Sequence, residues 1–172
     1  DIAGAAHANG GGFVAATATV AESAYVGPGA QVLDEAQVDG NARIEGQARV
    51  REEAFVGDNA IIRDHADVAG SARVYGDAII EDQAQIYDAK VYDQAMIGGV
   101  TWLDDDGLSV FGSAKFYSTN SHKSNTVNEI SGTAQFWGDV AIAAGSITQG
   151  IFFGQIGFGR EDDDFYGSTR TE

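Results

Sequence analysis

The feature that most constrains this chain is a six-residue beat. From about Thr17 to Gly99, alanine recurs at 18, 24, 30, 36, 42, 48, 54, 60, 66, 72, 78 and 84, and resumes after one missing residue at 89 and 95. An aliphatic residue follows each alanine by two positions, from Val20, Val26 and Val32 through Ile62, Val68 and Val74 to Ile86, Val91 and Ile97. A fixed short period marks a solenoid, in which each unit buries its apolar side only by stacking on the next. Residues two apart in extended chain point to the same side. Alanine and valine therefore point inward, and the residue between them points out. Each hexad then closes on Asp or Gly, which tolerate turn geometry. Three such corners close a triangle, and coils stack at about 4.8 Å, the spacing of strands in any sheet.

The beat divides the chain. Residues 1–12 are a Gly-rich lead-in, expected to be flexible. Residues 13–150 carry the repeat, with insertions near 104–107 and 118–129. Past Gly99 the aliphatic position is taken by Leu103, Val110, Phe116, Ile130, Phe136 and Ile142. Residues 151–172 begin apolar and end acidic, an expected covering segment for an open end or a flank, followed by a tail. The expected fold is all-β: a triangular parallel β-helix of about seven coils with a short C-terminal covering tail. An uncapped end coil exposes unpaired strand edges. The glycine-rich start offers little bulk there. The expectation is that the N-terminal coil stacks on another chain, or that the native protein is longer at that end.

The units Glu-Ala-Gln-Val-Asp-Gly at 35–40, Asn-Ala-Arg-Ile-Glu-Gly at 41–46 and Ser-Ala-Arg-Val-Tyr-Gly at 71–76 carry a resemblance. Over about residues 13–148 the chain resembles the hexapeptide-repeat family. That resemblance implies a left-handed coil, against the usual right-handed rule for parallel crossovers. The alanine-rich version also looks like β-helical modules at the ends of large secreted bacterial proteins.

Composition narrows function. The formal charge is −16, from 26 acidic and 10 basic side chains. This argues against nucleic acid and anionic membranes, which attract clustered Lys and Arg. No cysteine is present, so disulfides and thiolate metal sites are excluded. No apolar run approaches the roughly 20 residues that a membrane helix needs. The start at Asp1 rather than Met, three lysines, and abundant Gly, Ala and Asp fit a processed protein that is secreted or held at a cell surface.

Outward positions stack in columns. One reads Ala21, Asp39, Gly57, Tyr75, Tyr92, Phe111, Trp137; its last four members form an expected aromatic ladder. Beside it run Thr19, Gln37, Phe55, Arg73, Lys90, Ser109 and Gln135, which place two cations next to the rings. Large rigid amphipathic rings suit stacking on sugars, so Tyr75, Tyr92, Phe111, Trp137, Arg73 and Lys90 are the candidate glycan-binding residues. A purely structural ladder is the competing reading. A second face carries Tyr25, Arg43, Ile61, Ile79, Met96 and Lys115, where Ile61, Ile79 and Met96 make an apolar stripe. That stripe is a candidate interface between copies, or a seat for the segment from Ile151 to Phe158. The third face, with Phe13, Gln31, Arg49, Asp67 and Gln85, reads as solvated surface.

Chemistry is thinner. The family resemblance implies acyl transfer in many members, with a histidine base and a coenzyme thioester donor. The candidates here are His65 and His122, set among strong negative charge. A minority of the family are three-histidine zinc enzymes; His7, His65 and His122 are too dispersed for that. Calcium, which wants six to eight oxygens, has its best site at Asp104, Asp105 and Asp106. No cofactor is otherwise expected, and no catalytic residue is assigned. The reading is a non-catalytic structural or adhesive solenoid, with itself or a glycan as partner. A glycan-binding module is the first alternative and an acyltransferase the second.

Overall fold

The computed structural model describes residues 2–104, 107–118, 127–142 and 145–158. Its regular structure is all β, with no helix among the described residues. The strands form three sheets, the faces of a triangular solenoid. The first face runs Phe13–Ala15, Gln31–Val32, Arg49–Val50, Asp67–Ala69, Gln85–Tyr87, Trp102–Asp104. The second runs from Thr19–Val20 through Gln37–Val38, Phe55–Val56, Arg73–Val74, Lys90–Val91 and Ser109–Val110 to Val127–Ile130 and Gly145–Ile147. The third runs from Tyr25–Val26 through Arg43–Ile44, Ile61–Ile62, Ile79–Ile80, Met96–Gly99 and Lys115–Ser118 to Gln135–Ile142 and Ile151–Phe158. Pairing within each stack is parallel, in steps of one coil: Arg43 opposes Ile61, which opposes Ile79, which opposes Met96. Six complete coils are followed by two rungs that have only their second and third faces among the described residues.

The hexad explains the interior. Every alanine of the beat from Ala24 to Ala95 is fully buried or nearly so, as are the aliphatic residues from Val26 to Ile97. Alanine fills the narrow space beside each corner; Val and Ile fill the walls. In the degraded part, Leu103, Val110, Phe116, Ile130 and Phe136 are buried as the beat predicts. Thr101 and Leu108 stand in for alanine. The buried Thr101 hydroxyl donates to the Gly98 carbonyl at 2.6 Å and accepts the Ser118 N–H at 3.1 Å, so it leaves no unmet polar group.

The assignment of faces beyond Ser118 is corrected. After Lys115–Ser118 on the third face, the next described strand, Val127–Ile130, already lies on the second. No first-face strand stands between them among the described residues. Ile130 therefore stacks on Val110, and Phe136 on Phe116. Gln135 and Trp137 belong to the third face rather than the second.

The corners turn through left-handed backbone. Glycine supplies it at Gly40, Gly46, Gly70, Gly76, Gly99, Gly112 and Gly132. The non-glycine residues there are Asp34, Glu52, Asp58, Asp64, Asp82, Asp88 and Asp93, with φ of 54° to 61°. All are acidic. Left-handed backbone costs an ordinary L residue about 1–2 kcal/mol, and Asp is among the few that offset it with a local bond. Here most of the carboxylates bond upward, to the corner of the next coil, while Asp88 bonds back to the Ser71 N–H at 2.6 Å. Asp58 accepts the Gly76 N–H at 3.0 Å, Glu52 the Gly70 N–H at 3.0 Å, and Asp82 the Gly99 N–H at 2.8 Å.

The two ends are built differently from the coils between them. The Gly-rich lead-in forms a hairpin: Gly4–Ala6 pairs antiparallel with Phe13–Ala15, the Asn9 carbonyl accepts the Val26 N–H of the third face, and the Gly12 N–H donates to the Val26 carbonyl. At the other end, Ile151–Phe158 pairs along its whole length with Gln135–Ile142. It lies on the end of the third face as a further strand, not over the flank that carries Ile61, Ile79 and Met96.

Candidate functional site

The aromatic ladder forms over three rungs. Tyr75 and Tyr92 stack with ring centroids 5.0 Å apart and planes 1° from parallel; Tyr92 and Phe111 stack at 4.8 Å and 3°. The coil spacing dictates this, since rings on successive rungs at about 4.8 Å meet face to face. Below them Phe55 folds its ring over Gly57, where a Cβ would meet the ring at 2.6 Å. Arg73 sits over Phe55 at 5.6 Å, and Arg73 pairs in register with Lys90. Burial raises the hydroxyl pKa of Tyr75, with the Asp93 carboxylate adding to it; Tyr92 is raised by burial and by its neighbours Tyr75 and Asp93. Both phenols stay protonated. The ladder stops at Phe111, because Trp137 stacks on Tyr117 of the third face at 4.6 Å and 7°.

This geometry bears on sugar recognition. Both faces of Tyr92 are covered by its neighbours, and Tyr75 and Phe111 each give one face to it. A pyranose stacks on a ring face. The outer surface of this ladder is ring edge.

A second kind of arrangement was not visible in the sequence: tyrosines that reach back across two coils. Tyr117 donates its hydroxyl to Glu81, from 36 residues away, by lying over Gly98. A Cβ on Gly98 would fall 2.3 Å from the Tyr117 ring. Glu81 also takes the Arg63 guanidinium. On the first face, Tyr87 donates to Glu52 at 2.9 Å, from 35 residues away. Glu52 is paired with Arg51, whose Nε also donates to Asp67 at 3.0 Å. Burial pushes the Tyr117 hydroxyl pKa strongly upward, and its bond to the Glu81 carboxylate pushes further. Burial alone would raise the Glu81 carboxyl, but donation from Tyr117 and Arg63 outweighs it and holds that pKa low.

Asp67 corrects the reading of the first face as plain solvated surface. It is 8% exposed and clamped by Arg51 and by Arg49, the latter at 3.5 Å. The available signal was a lone acid in an outward column with arginine one coil away and another beside it.

The other candidates fall as follows. Ile61, Ile79 and Met96 stand in register on successive coils, half-buried against one another, with Arg43 and Lys115 at the two ends of the stripe. Asp104 ends the strand Trp102–Asp104 opposite Tyr87. Asp105, Asp106 and His122 lie outside the described residues. No group of three or more acidic or histidine side chains is placed to hold a metal among the described residues. His7 sits in the N-terminal hairpin, its ring within 3.2 Å of the Asn9 carbonyl oxygen. His65 is exposed at a corner, beside a shallow groove with Gly29, Gln31, Gln47 and Arg49. The structure does not bring these two together. Comparison with family models, with curated proteins and with solved structures gave no match.

Proposed function

We propose that this chain is a non-catalytic structural or adhesive solenoid of the hexapeptide-repeat type, secreted or held at a cell surface, and able to associate with itself. One observation carries the reading: the reactive-looking side chains bond coil to coil. Corner carboxylates hold the N–H groups of the next turn, Tyr87 and Tyr117 tie non-adjacent coils, and the ladder rings cover one another. That is the chemistry of a stiff spacer. Single-molecule pulling on the chain between two handles tests it. A single high-force rupture of the coiled region is expected, and coil-by-coil peeling at low force would refute the spacer role.

A glycan-binding module is the second reading, favoured by Arg73, whose charge reaches the Tyr75 hydroxyl, with Lys90 in register on the next rung. It predicts binding on a glycan array that Arg73→Ala and Tyr92→Phe both weaken. Acyl transfer through His122 predicts thioester turnover that His122→Ala abolishes. A calcium ion at Asp104 to Asp106 would raise the melting temperature over that in chelator.

A further inference from the structure

The N-terminal end of the solenoid is closed by a piece unlike what it covers. Gly4–Ala6 runs antiparallel, whereas every other described strand pair is parallel, so it cannot template another parallel coil. It buries almost nothing: Gly4, Ala5 and Ala6 are exposed, and Ile2 is 63% exposed. Its hold on the body is mostly backbone. Ala16 N–H donates to the Ala3 carbonyl at 2.8 Å, Gly12 N–H to Val26 at 2.8 Å, and Val26 N–H to Asn9 at 3.0 Å. Its side-chain contacts are few: the Phe13 ring lies against Gly4 and the Tyr25 ring against Gly10, and the Asn9 amide donates to the carbonyls of Ala24 at 3.0 Å and Ser23 at 3.4 Å. Segments with few apolar contacts open at the low end of a protein's range of stabilities.

Beneath it the core is unfinished. Val14, Ala18, Val20 and Ala21 are only partly buried, unlike their counterparts in the inner coils. Thr19–Val20 is the terminal strand of the second face. At the far end of that same face, Gly145–Ile147 is the last strand among the described residues, and Ile147 is half-buried. Val20 and Ile147 belong to one inward column, through Val38, Val56, Val74, Val91, Val110 and Ile130.

The geometry points to residues 2–12 as a removable cap over a docking surface for the C-terminal end of a second copy. This deepens the self-associating reading above and rests on it. With the cap displaced, the edges at Phe13–Ala15 and Tyr25–Val26 are freed beside Thr19–Val20, and Ile147 of the incoming copy continues the column over Val20. Exposed strand edges are templates for such addition. Gly12 is the place to force the change: a Cβ there would lie 2.2 Å from the Gly27 carbonyl oxygen.

The 172-residue chain, Gly12→Val, Asn9→Ala, and Gly12→Val combined with Val20→Lys would be compared by light scattering over a concentration series, with negative-stain images and circular dichroism. The wild type is expected to stay mostly monomeric, its self-association held back by the cap and growing only at the highest concentrations. Gly12→Val should raise the mean mass at least tenfold as linear assemblies, Asn9→Ala should shift in the same direction, and Val20→Lys should return the assembly to monomer. A monomeric Asn9→Ala, or Gly12→Val assemblies that survive Val20→Lys, would overturn the cap. Head-to-tail assembly by the wild type as extensive as that of Gly12→Val would also overturn it, yet would leave the structural reading standing. A specific glycan or thioester turnover would displace that reading instead, and shows in separate assays.

Discussion

Removing one hydroxyl, in Tyr117→Phe, tests whether the solenoid is tied across non-adjacent coils. The phenol donates to Glu81, which is 12% exposed at its side chain and otherwise held by Arg63. Phenylalanine keeps the ring over Gly98 and the stack on Trp137, so packing is unchanged. What goes is a hydrogen bond to a carboxylate with little access to water. Bonds to charged groups contribute about 1.5–3 kcal/mol, so a loss of about 2 kcal/mol is expected. At an m-value of about 2 kcal/mol/M that moves the urea midpoint down by about 1 M. The control is Tyr75→Phe, whose ring also stacks but whose hydroxyl has no described hydrogen-bond partner; it should shift the midpoint by less than about 0.25 M, within the half kcal/mol expected of a neutral surface change. The alkaline limb gives an independent readout. Tyr117 has a raised folded pKa, so its contribution is complete below the unfolded phenol's value of about 10 and is lost as pH rises beyond it. Tyr117→Phe should flatten stability loss above pH 10. If Tyr117→Phe proved as silent as Tyr75→Phe in both assays, the tether would carry no load and the argument from its geometry would fail.

Three further outcomes follow from the same contacts. Tyr92→Ala removes a half-buried ring stacked on both sides; with stacking at about 0.5–1.5 kcal/mol per pair plus lost burial, it should cost about 3 kcal/mol in urea denaturation, while Tyr92→Phe is silent. Asp58→Ala loses both the bond to Gly76 and a residue suited to φ 56°, and should cost about 2–3 kcal/mol in thermal melts, while Asp58→Asn stays within about 0.5 kcal/mol. Glu81 has a lowered folded pKa, so its stabilisation is present above the unfolded carboxyl value of about 4.3 and lost as pH falls through the lower folded value. Glu81→Gln should flatten the acid limb below pH 4, as read by circular dichroism across pH.

The parts of this molecule legible in the sequence are those that follow from counting. The beat fixes each inward alanine and valine, the corner positions, and the rise of Tyr75, Tyr92 and Phe111 in one column, since one missing residue near Asp88 leaves the rungs in step. Counting fails at Trp137, because the insertion after Ser118 skips a face and nothing in its residues says so. It fails at the tethers for another reason. Whether Tyr117 reaches Glu81 depends on Gly98 lying between them, a two-coil relation that a nearest-neighbour reading of repeats does not contain. The lead-in misleads because its glycines look like flexibility. Gly10 and Gly12 are instead where the chain passes against the Val26 and Gly27 carbonyls, within 2.2 Å of where a Cβ would stand, and only glycine fits.

The corner alternation then acquires a meaning beyond turn geometry. A chain of charge −16 must put its acids somewhere, and stacking them on a rung spacing of about 4.8 Å sets like charges side by side. Glycine and acid both satisfy the left-handed corner. On the vertex after the second face they alternate: Gly40, Asp58, Gly76, Asp93, Gly112. That doubles the separation of the left-handed carboxylates to about 10 Å, beyond the roughly 8 Å over which charges are screened at physiological salt, and Asp77 on the rung between them accepts the Asn59 amide at 3.0 Å. On the vertex after the third face, Asp64 and Asp82 do adjoin, and there Asp64 accepts the Asp82 N–H at 3.3 Å while Arg63 pairs with Glu81 beside them. Where glycine does not space the acids, backbone donors and an arginine offset the crowding. The acids are thus part of what fastens each coil to the next, which is why so acidic a chain can stack at all.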